Sequence, residues 1–117
     1  MMKLDLRENM YVRTKDGEIH KIKSINNEYI EYENGFGVPY ELKEYIVKAS
    51  YNIIDILEKG DCVNGNEIGY IDDCEGAMRQ FYYNYENPNE DVGHWYEEIK
   101  IIITHEQMER MTYKVGD

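Results

Sequence analysis

Tight-turn signals divide the first half of the sequence into short runs that resemble β-strands. Two of these signals end at Gly17 and Gly35, and the runs at residues 18–25 and 28–33 are rich in isoleucine and tyrosine. β-Branched and aromatic residues in short runs between glycine turns favour strands. We therefore predict a mainly β (α+β) fold, in which four or five short strands form a small SH3-like barrel or a strongly bent antiparallel sheet.

The charge of the chain limits the partners that it can bind. The 117 residues include 13 Lys and Arg against 24 Asp and Glu, which gives a formal net charge of -11. Residues 61–117 hold thirteen of the acidic groups and only four of the basic ones. Such a surface repels phosphate backbones and anionic membranes. The sequence thus predicts no direct binding of nucleic acid and no membrane association.

The length favours a single domain over residues 1–117. Within it we distinguish an N-terminal β subregion at residues 1–50 and an acidic subregion at residues 51–117, with a hairpin insertion at residues 72–98. No run approaches the ~20 apolar residues of a membrane helix, and the N-terminus lacks the apolar core of a signal peptide. We therefore expect a cytoplasmic location, where Cys62 and Cys74 are free thiols rather than a disulfide.

Two short helices are predicted in the second half. Asn52 is a good helix cap and Gly60 a good helix stop, which indicates about two turns over residues 52–59. Thr104 and Gln107 have the spacing of a capping box, which indicates a second short helix over residues 104–111. Between the two helices, glycine at Gly65 indicates a further strand-turn-strand unit.

The segment at residues 72–98 is both acidic and aromatic. Residues 79–85 form an aromatic run, residues 86–91 cannot continue a strand because they include Pro88, and residues 99–103 form the most apolar run of the chain. We predict a long aromatic hairpin that pairs these two runs and has an acidic tip. Alternation along a strand places about half of its aromatic side chains in the core and leaves the other half exposed.

Exposed aromatic side chains beside carboxylates are typical of a surface that docks on a basic protein groove. The candidate binding residues are those of the acidic turn, the aromatic strand, the hairpin tip and the returning strand: Asp72, Asp73, Glu75, Tyr82, Tyr83, Tyr85, Glu86, Glu90, Asp91, Trp95, Tyr96 and Glu97.

No motif for catalysis or cofactor binding is present in the sequence. Phosphate loops, dinucleotide fingerprints, nucleophile elbows and zinc-protease helices are all missing. His20, His94 and His105 are far apart in the chain, and the two cysteines are separated by eleven residues. Neither spacing indicates a metal site. We expect a protein that is not an enzyme and has no catalytic residues, no metal and no cofactor.

Four short segments of the chain carry a resemblance to known proteins. They are residues 13–17 (RTKDG), 52–65 (NIIDILEKGDCVNG), 102–107 (IITHEQ) and 113–115 (YKV). In these segments the chain resembles small, acidic, uncharacterised proteins of phages and prophages of Gram-positive, clostridia-like bacteria. The resemblance covers most of the chain except residues 72–98. The resemblance implies no catalytic residues. It does imply a phage setting, in the cytoplasm of a bacterial host. In that setting small acidic proteins often inhibit host defence or host enzymes, and anti-CRISPR proteins are among them.

Three functions are compatible with these observations. The favoured one is a non-enzymatic acidic inhibitor that acts as a nucleic-acid mimic and occupies the basic surface of a host or phage protein, such as a CRISPR effector. The second is a small-ligand protein whose tyrosines line a pocket for a nucleotide-like signal. The third is a virion assembly component. The sequence leaves the partner and the oligomeric state open.

Overall fold

The computed structural model of the chain describes residues 5–72, 79–84 and 93–115. These residues form two compact units, unit 1 (Met1–Ile56) and unit 2 (Leu57–Asp117). Antiparallel sheets dominate both units, so the prediction of a mainly β fold is confirmed. Among the described residues, no helix combines the length and the apolar character that crossing a membrane requires.

Unit 1 contains one five-stranded antiparallel sheet in the order β4-β3-β2-β1-β5. The connection from β4 to β5 is a 3₁₀ helix, η1, and a second 3₁₀ helix, η2, follows β5. The elements are β1 (Tyr11–Thr14), β2 (Ile19–Ile25), β3 (Tyr29–Tyr32), β4 (Gly37–Pro39), η1 (Tyr40–Tyr45), β5 (Ile46–Ser50) and η2 (Ile53–Ile56).

The sheet of unit 1 is open and bends at β2. This strand pairs with β1 before its midpoint and with β3 after it, and the register with β3 shifts between Ile22 and Ser24. A bulge of this kind bends a strand and increases its twist. The edge strands β4 and β5 do not pair with each other in the described part of the chain. Of the two predicted forms, the bent sheet is therefore observed and the closed barrel is not.

The core of unit 1 is formed by side chains from four of its strands. Alternation along β1 places Val12 in this core, while the neighbouring Arg13 is fully buried on the other side of the strand. The Arg13 guanidinium donates from Nη1 to the carbonyl oxygen of Ile56 at 3.0 Å and so ties β1 to the end of η2. The buried core residues are Val12, Ile22, Ile30, Tyr32 and Ile46.

Unit 2 contains a four-stranded antiparallel sheet in the order β8-β7-β6-β9. The turn between β6 and β7 has positive φ at both Asn64 (53°) and Gly65 (87°), as a type I′ turn requires. The elements are β6 (Cys62–Val63), β7 (Asn66–Ile71), β8 (Phe81–Tyr83), a 3₁₀ helix η3 (Tyr96–Glu98), β9 (Ile102–Ile103) and α1 (His105–Val115).

The aromatic hairpin of unit 2 differs from the predicted one. The aromatic strand β8 pairs with β7, and the apolar strand β9 pairs with β6 at the opposite edge of the sheet. The predicted pairing of residues 79–85 with residues 99–103 is wrong. Residues 96–98 fold into η3, and within the described residues an isolated bridge from Phe81 to His94 extends the sheet beyond β8.

The two predicted helices have different outcomes. The capping box at α1 is confirmed, because the Thr104 amide donates to Gln107 Oε1 at 3.0 Å and the Gln107 amide donates to Thr104 Oγ1 at 3.4 Å. Residues 52–59 form only the single 3₁₀ turn η2. The amide of Glu58 is bonded to the side chain of Asp61 at 2.8 Å instead of to a helical carbonyl.

Cys62 lies on β6 as a free thiol, which agrees with the prediction for this residue, and Cys74 lies outside the described residues. Burial raises the pKa of the Cys62 thiol, and the nearby carboxylates of Glu67 and Asp61 raise it further. The thiol lies 3.4 Å from the sulfur of Met108, so it packs α1 against β6.

Candidate interaction surfaces

A turned segment before β9, which we call the Trp95 loop (residues 93–101), is held in place by the carboxylate of Glu98. Its Oε2 accepts a hydrogen bond from the Trp95 amide at 2.7 Å, and its Oε1 lies 3.0 Å from His94 Nδ1. The hydrogen bond to His94 holds the pKa of Glu98 below its usual value, with a further contribution from the Trp95 amide. The ionised carboxylate therefore closes the loop around η3.

Asn64 anchors the same loop to the β6–β7 turn. Its Nδ2 donates to the carbonyl oxygen of Glu98 at 2.8 Å. Its Oδ1 accepts hydrogen bonds from the amides of Lys100 at 2.8 Å and Ile101 at 3.2 Å. One side chain thus satisfies three backbone groups that lie more than thirty residues further along the chain.

His94 fastens the start of the loop to the sheet. Its backbone exchanges two hydrogen bonds with Phe81, at 2.8 and 3.1 Å, and its ring lies 4.4 Å from the ring of Tyr83. Nε2 is buried and has no hydrogen-bond partner among the described residues. A proton on Nδ1 satisfies the bond to Glu98 and avoids a buried, unpaired N–H, so we assign this tautomer.

The Trp95 loop presents three large apolar side chains to solvent. Trp95 is 36% exposed, Tyr96 45% and Ile101 60%, and the charged Glu97 lies beside them and is also exposed. Aromatic side chains on a rigid segment bind at low cost, because little conformational freedom remains to be lost. The hydrogen bonds of Glu98 and Asn64 hold these side chains on a fixed backbone.

Three of the predicted binding residues are consecutive in the sequence and lie exposed in this loop: Trp95, Tyr96 and Glu97. Tyr82 lies on the outer face of β8, where its ring is 5.6 Å from the exposed ring of Tyr70. The remaining candidates lie outside the described residues: Asp73, Glu75, Tyr85, Glu86, Glu90 and Asp91.

Two predicted binding residues have structural roles. Tyr83 is only 8% exposed and packs edge-on against Phe81, so it belongs to the core of unit 2 and not to a surface, as strand alternation requires. Asp72 is half-buried and accepts a hydrogen bond from the amide of Gln80 at 3.2 Å. Its backbone carbonyl accepts another from Arg79 Nε at 2.9 Å, so Asp72 closes the β7–β8 hairpin.

Unit 1 carries a groove of about 400 Å³, which we call the unit 1 groove. Tyr32 and Tyr45 line it, as the hypothesis of a tyrosine-lined ligand pocket requires, but no lysine or arginine does. Of the basic side chains at the start of the chain, Arg13 is buried and Lys21 lies over the ring of Tyr11, while the ammonium of Lys15 lies 5.5 Å from the ring centroid of Tyr45. The lining residues are Thr14, Asp16, Glu18, His20, Tyr32, Val38, Leu42, Tyr45 and Ile46.

One cluster with metal-binding atoms was missed from the sequence. The spacing of the histidines gave no sign that His105 meets Glu58 and Glu106, yet their ligand atoms lie within 4.8 Å of one another. Glu58 lies 2.7 Å from Nε2 of the imidazole and Glu106 lies 3.5 Å from Nδ1. The two carboxylates face different ring nitrogens, so the imidazole of His105 lies between them.

A comparison of the chain with protein-family models, curated proteins and solved structures finds no match. The resemblance to phage proteins therefore stays a prediction.

Proposed function

We propose that the protein is a non-enzymatic, acidic interaction protein that docks on a basic surface of another protein through the Trp95 loop. The observation that carries this proposal is the exposure of Trp95 and Tyr96 on a segment that is fixed by hydrogen bonds. Tryptophan and tyrosine dominate the binding energy of protein interfaces when they enter a pocket of the partner. Exposed apolar side chains that lie together, as in this loop, mark interaction sites more often than scattered single ones do.

The charge of the chain supports a basic partner. The acidic excess is concentrated in residues 61–117, and Glu97 lies exposed next to the two aromatic anchors. Carboxylates around an aromatic centre accelerate association with a basic surface and select against acidic ones. Trp95 and Tyr96 supply the affinity, and the surrounding negative charge determines which partner is selected.

The finer form of the proposal concerns inhibition. Basic protein surfaces commonly serve to bind nucleic acid, and an acidic protein that covers such a surface competes with the nucleic acid for it. The resemblance to phage proteins supports a host defence protein or another nucleic-acid-handling protein as the target, such as a CRISPR effector. Occupation of its basic surface by the Trp95 loop is the mechanism that we propose.

The test compares affinity capture from bacterial lysate by the parent and by three variants. Trp95→Ala and Tyr96→Ala remove the anchors, and Tyr70→Ala removes an exposed aromatic side chain of β7 as the matched control. We expect one basic protein to be captured by the parent and by Tyr70→Ala but not by the loop variants. Binding kinetics with that protein should show a loss of about 2 kcal/mol or more for Trp95→Ala, mainly as faster dissociation.

Thermal melts of each variant show whether it remains folded. The proposal is wrong if no captured protein depends on Trp95 and Tyr96, or if Tyr70→Ala weakens capture as much as the loop variants do. For the finer proposal, the captured protein should lose its nucleic acid when the parent is added. Simultaneous binding of both would contradict inhibition by occupation of the basic surface.

A further inference from the structure

The unit 1 groove has a lining that is largely aliphatic and aromatic. Val38, Leu42 and Ile46 supply aliphatic carbon from β4, η1 and the start of β5. The imidazole of His20 lies parallel to the ring of Tyr32, with centroids 4.2 Å apart and an interplanar angle of 5°. The groove therefore offers aliphatic surface and flat aromatic surface within one concave site.

The groove also contains a polar group whose hydrogen-bonding capacity is unused in the described part of the chain. Tyr32 lines the groove and is only 4% exposed, yet its hydroxyl makes no hydrogen bond to any described residue. A tyrosine hydroxyl that is buried to this extent normally has a partner. Burial raises the pKa of the Tyr32 phenol, and the carboxylate of Glu18 raises it further, so the group is an O–H donor at neutral pH. A molecule in the groove can accept this hydrogen bond.

The charged residues near the groove favour an uncharged occupant. The carboxylate of Glu18 is already bonded, since its Oε1 lies 2.9 Å from Nε2 of His20, and Asp16 is exposed to water and has an interaction within the chain. The ammonium of Lys15 lies 5.5 Å from the ring centroid of Tyr45 and repels a second cation. An anion meets the two carboxylates and finds no lysine or arginine among the described lining residues. A charge of either sign would also lose hydration against this lining.

We propose that the unit 1 groove binds a small, uncharged aromatic molecule that accepts a hydrogen bond from the Tyr32 hydroxyl. Its volume of about 400 Å³ falls within the range of small-molecule pockets, which combine apolar and aromatic walls with a few polar groups. An aromatic ring makes offset or edge-to-face contacts with rings such as those of Tyr32 and Tyr45. The groove shares no residue with the Trp95 loop, so this inference is independent of the proposed function.

Hydrogen bonds of the chain itself hold this part of the groove in place. Nδ1 of the His20 imidazole lies 3.5 Å from Nδ2 of Asn34, and its Nε2 is fixed by Glu18 on the other side. The amide of Glu18 in turn donates to Oγ1 of Thr14 at 3.1 Å. Because the aromatic wall is positioned before a ligand arrives, little conformational freedom is lost on binding.

The test is an NMR titration of the full chain with three probes of nearly the same shape. Benzamide is uncharged and has a carbonyl acceptor, benzoate is an anion, and benzamidine is a cation that has no acceptor. In about 0.15 M salt, where charges are screened over about 8 Å, we expect benzamide to bind most tightly and to shift the amide signals of Thr14, His20 and Ile46. The proposal is wrong if benzamide does not bind, if either charged probe binds as tightly, or if the shifts are confined to other residues.

The variant Tyr32→Phe removes the hydroxyl and keeps the ring that stacks on His20. We expect benzamide to bind about fivefold to tenfold more weakly, while the melting temperature stays unchanged because no hydrogen bond to a described residue is lost. Tyr29→Phe removes a hydroxyl from an exposed position outside the groove and should change neither quantity. Unchanged affinity of Tyr32→Phe for benzamide would contradict the proposal. A lower melting temperature of Tyr32→Phe would show that the hydroxyl has a partner within the protein, and it would contradict the proposal as well.

Discussion

The buried carboxylate of Asp61 accepts a hydrogen bond from the backbone amide of His105 at 3.0 Å. Its other oxygen accepts the amide of Glu58 at 2.8 Å, and Asp61 is fully buried. Two segments of unit 2 that are more than forty residues apart therefore meet at one side chain. The first amide of α1 is satisfied from outside the helix, in addition to the capping box at Thr104.

Replacement of Asp61 should destabilise unit 2. Asp61→Ala leaves two backbone amides without their acceptor, which costs about 2 to 4 kcal/mol. Asp61→Asn keeps one acceptor oxygen and should cost less. Urea unfolding followed by far-ultraviolet circular dichroism measures both. Equal stability of Asp61→Ala and the parent would contradict the role of Asp61 in joining these two segments of unit 2.

Acidification should release the Trp95 loop. The folded-state pKa of Glu98 lies below that of the unfolded chain, which is about 4.3 for a glutamate. The stabilisation by Glu98 is thus complete above the unfolded value and is lost as the pH falls through the folded one. The chain has one tryptophan, so Trp95 fluorescence reports on the loop directly. We expect its emission to change below about pH 4.

The variant Glu98→Gln should abolish this acid transition, since its side chain does not titrate. Glu97→Gln is the matched control, because this neighbouring glutamate is exposed and makes neither loop-closing bond. It should keep the transition of the parent. An unchanged transition in Glu98→Gln would assign the acid response to another group.

The variant Asn64→Gly should keep the β6–β7 turn and remove the hydrogen bonds that link the Asn64 side chain to the Trp95 loop. Glycine adopts the positive φ of this position without strain, so the β6–β7 turn is expected to survive. The three hydrogen bonds to the Trp95 loop are lost. Hydrogen exchange of the Lys100 and Ile101 amides should accelerate, and stability should fall by about 1 to 3 kcal/mol. Asn66→Ala, at an exposed position of β7, should leave exchange at both amides unchanged.

Gly37→Ala should destabilise unit 1. A Cβ atom at this position would lie 2.5 Å from the carbonyl oxygen of Ile30 and 2.6 Å from the ring of Tyr29. The ring can move, but the carbonyl belongs to the backbone of β3, which is paired on both sides. We expect a loss of about 1 to 3 kcal/mol in chemical unfolding. Phe36→Ala, at a residue that is 74% exposed, should change stability by no more than about 0.5 kcal/mol.

Features that depend on local chemistry could be predicted from the sequence. The turns at Gly17, Gly35 and Gly65 have positive φ, and the capping box of Thr104 and Gln107 is present. Each depends on a few adjacent residues whose backbone preferences are intrinsic. The prediction that aromatic residues of β8 alternate between core and surface follows from strand geometry in the same way, with Phe81 and Tyr83 buried.

Features that depend on long-range contacts could not be predicted in this way. The pairing of β9 with β6 is decided by the Trp95 loop, and that loop depends on the side chain of Asn64, far away in sequence. The groove of unit 1 arises only when η1 lies near the β1–β2 turn. The cluster of Glu58 and His105 likewise depends on the two backbone hydrogen bonds that Asp61 accepts. The hydrophobic periodicity of a sequence describes single helices and strands and contains no information on contacts between distant segments.

Pro39 at the end of the edge strand β4 affects how the protein behaves when it is concentrated. An edge strand offers unpaired amides and carbonyls to which a strand of another molecule can add, which is the first step of β-aggregation. Proline has no amide hydrogen, so β4 cannot continue such a ladder past Pro39. Exposed aromatic side chains favour contact between molecules at high concentration, and Pro39 limits the addition of a further strand at this edge of the unit 1 sheet.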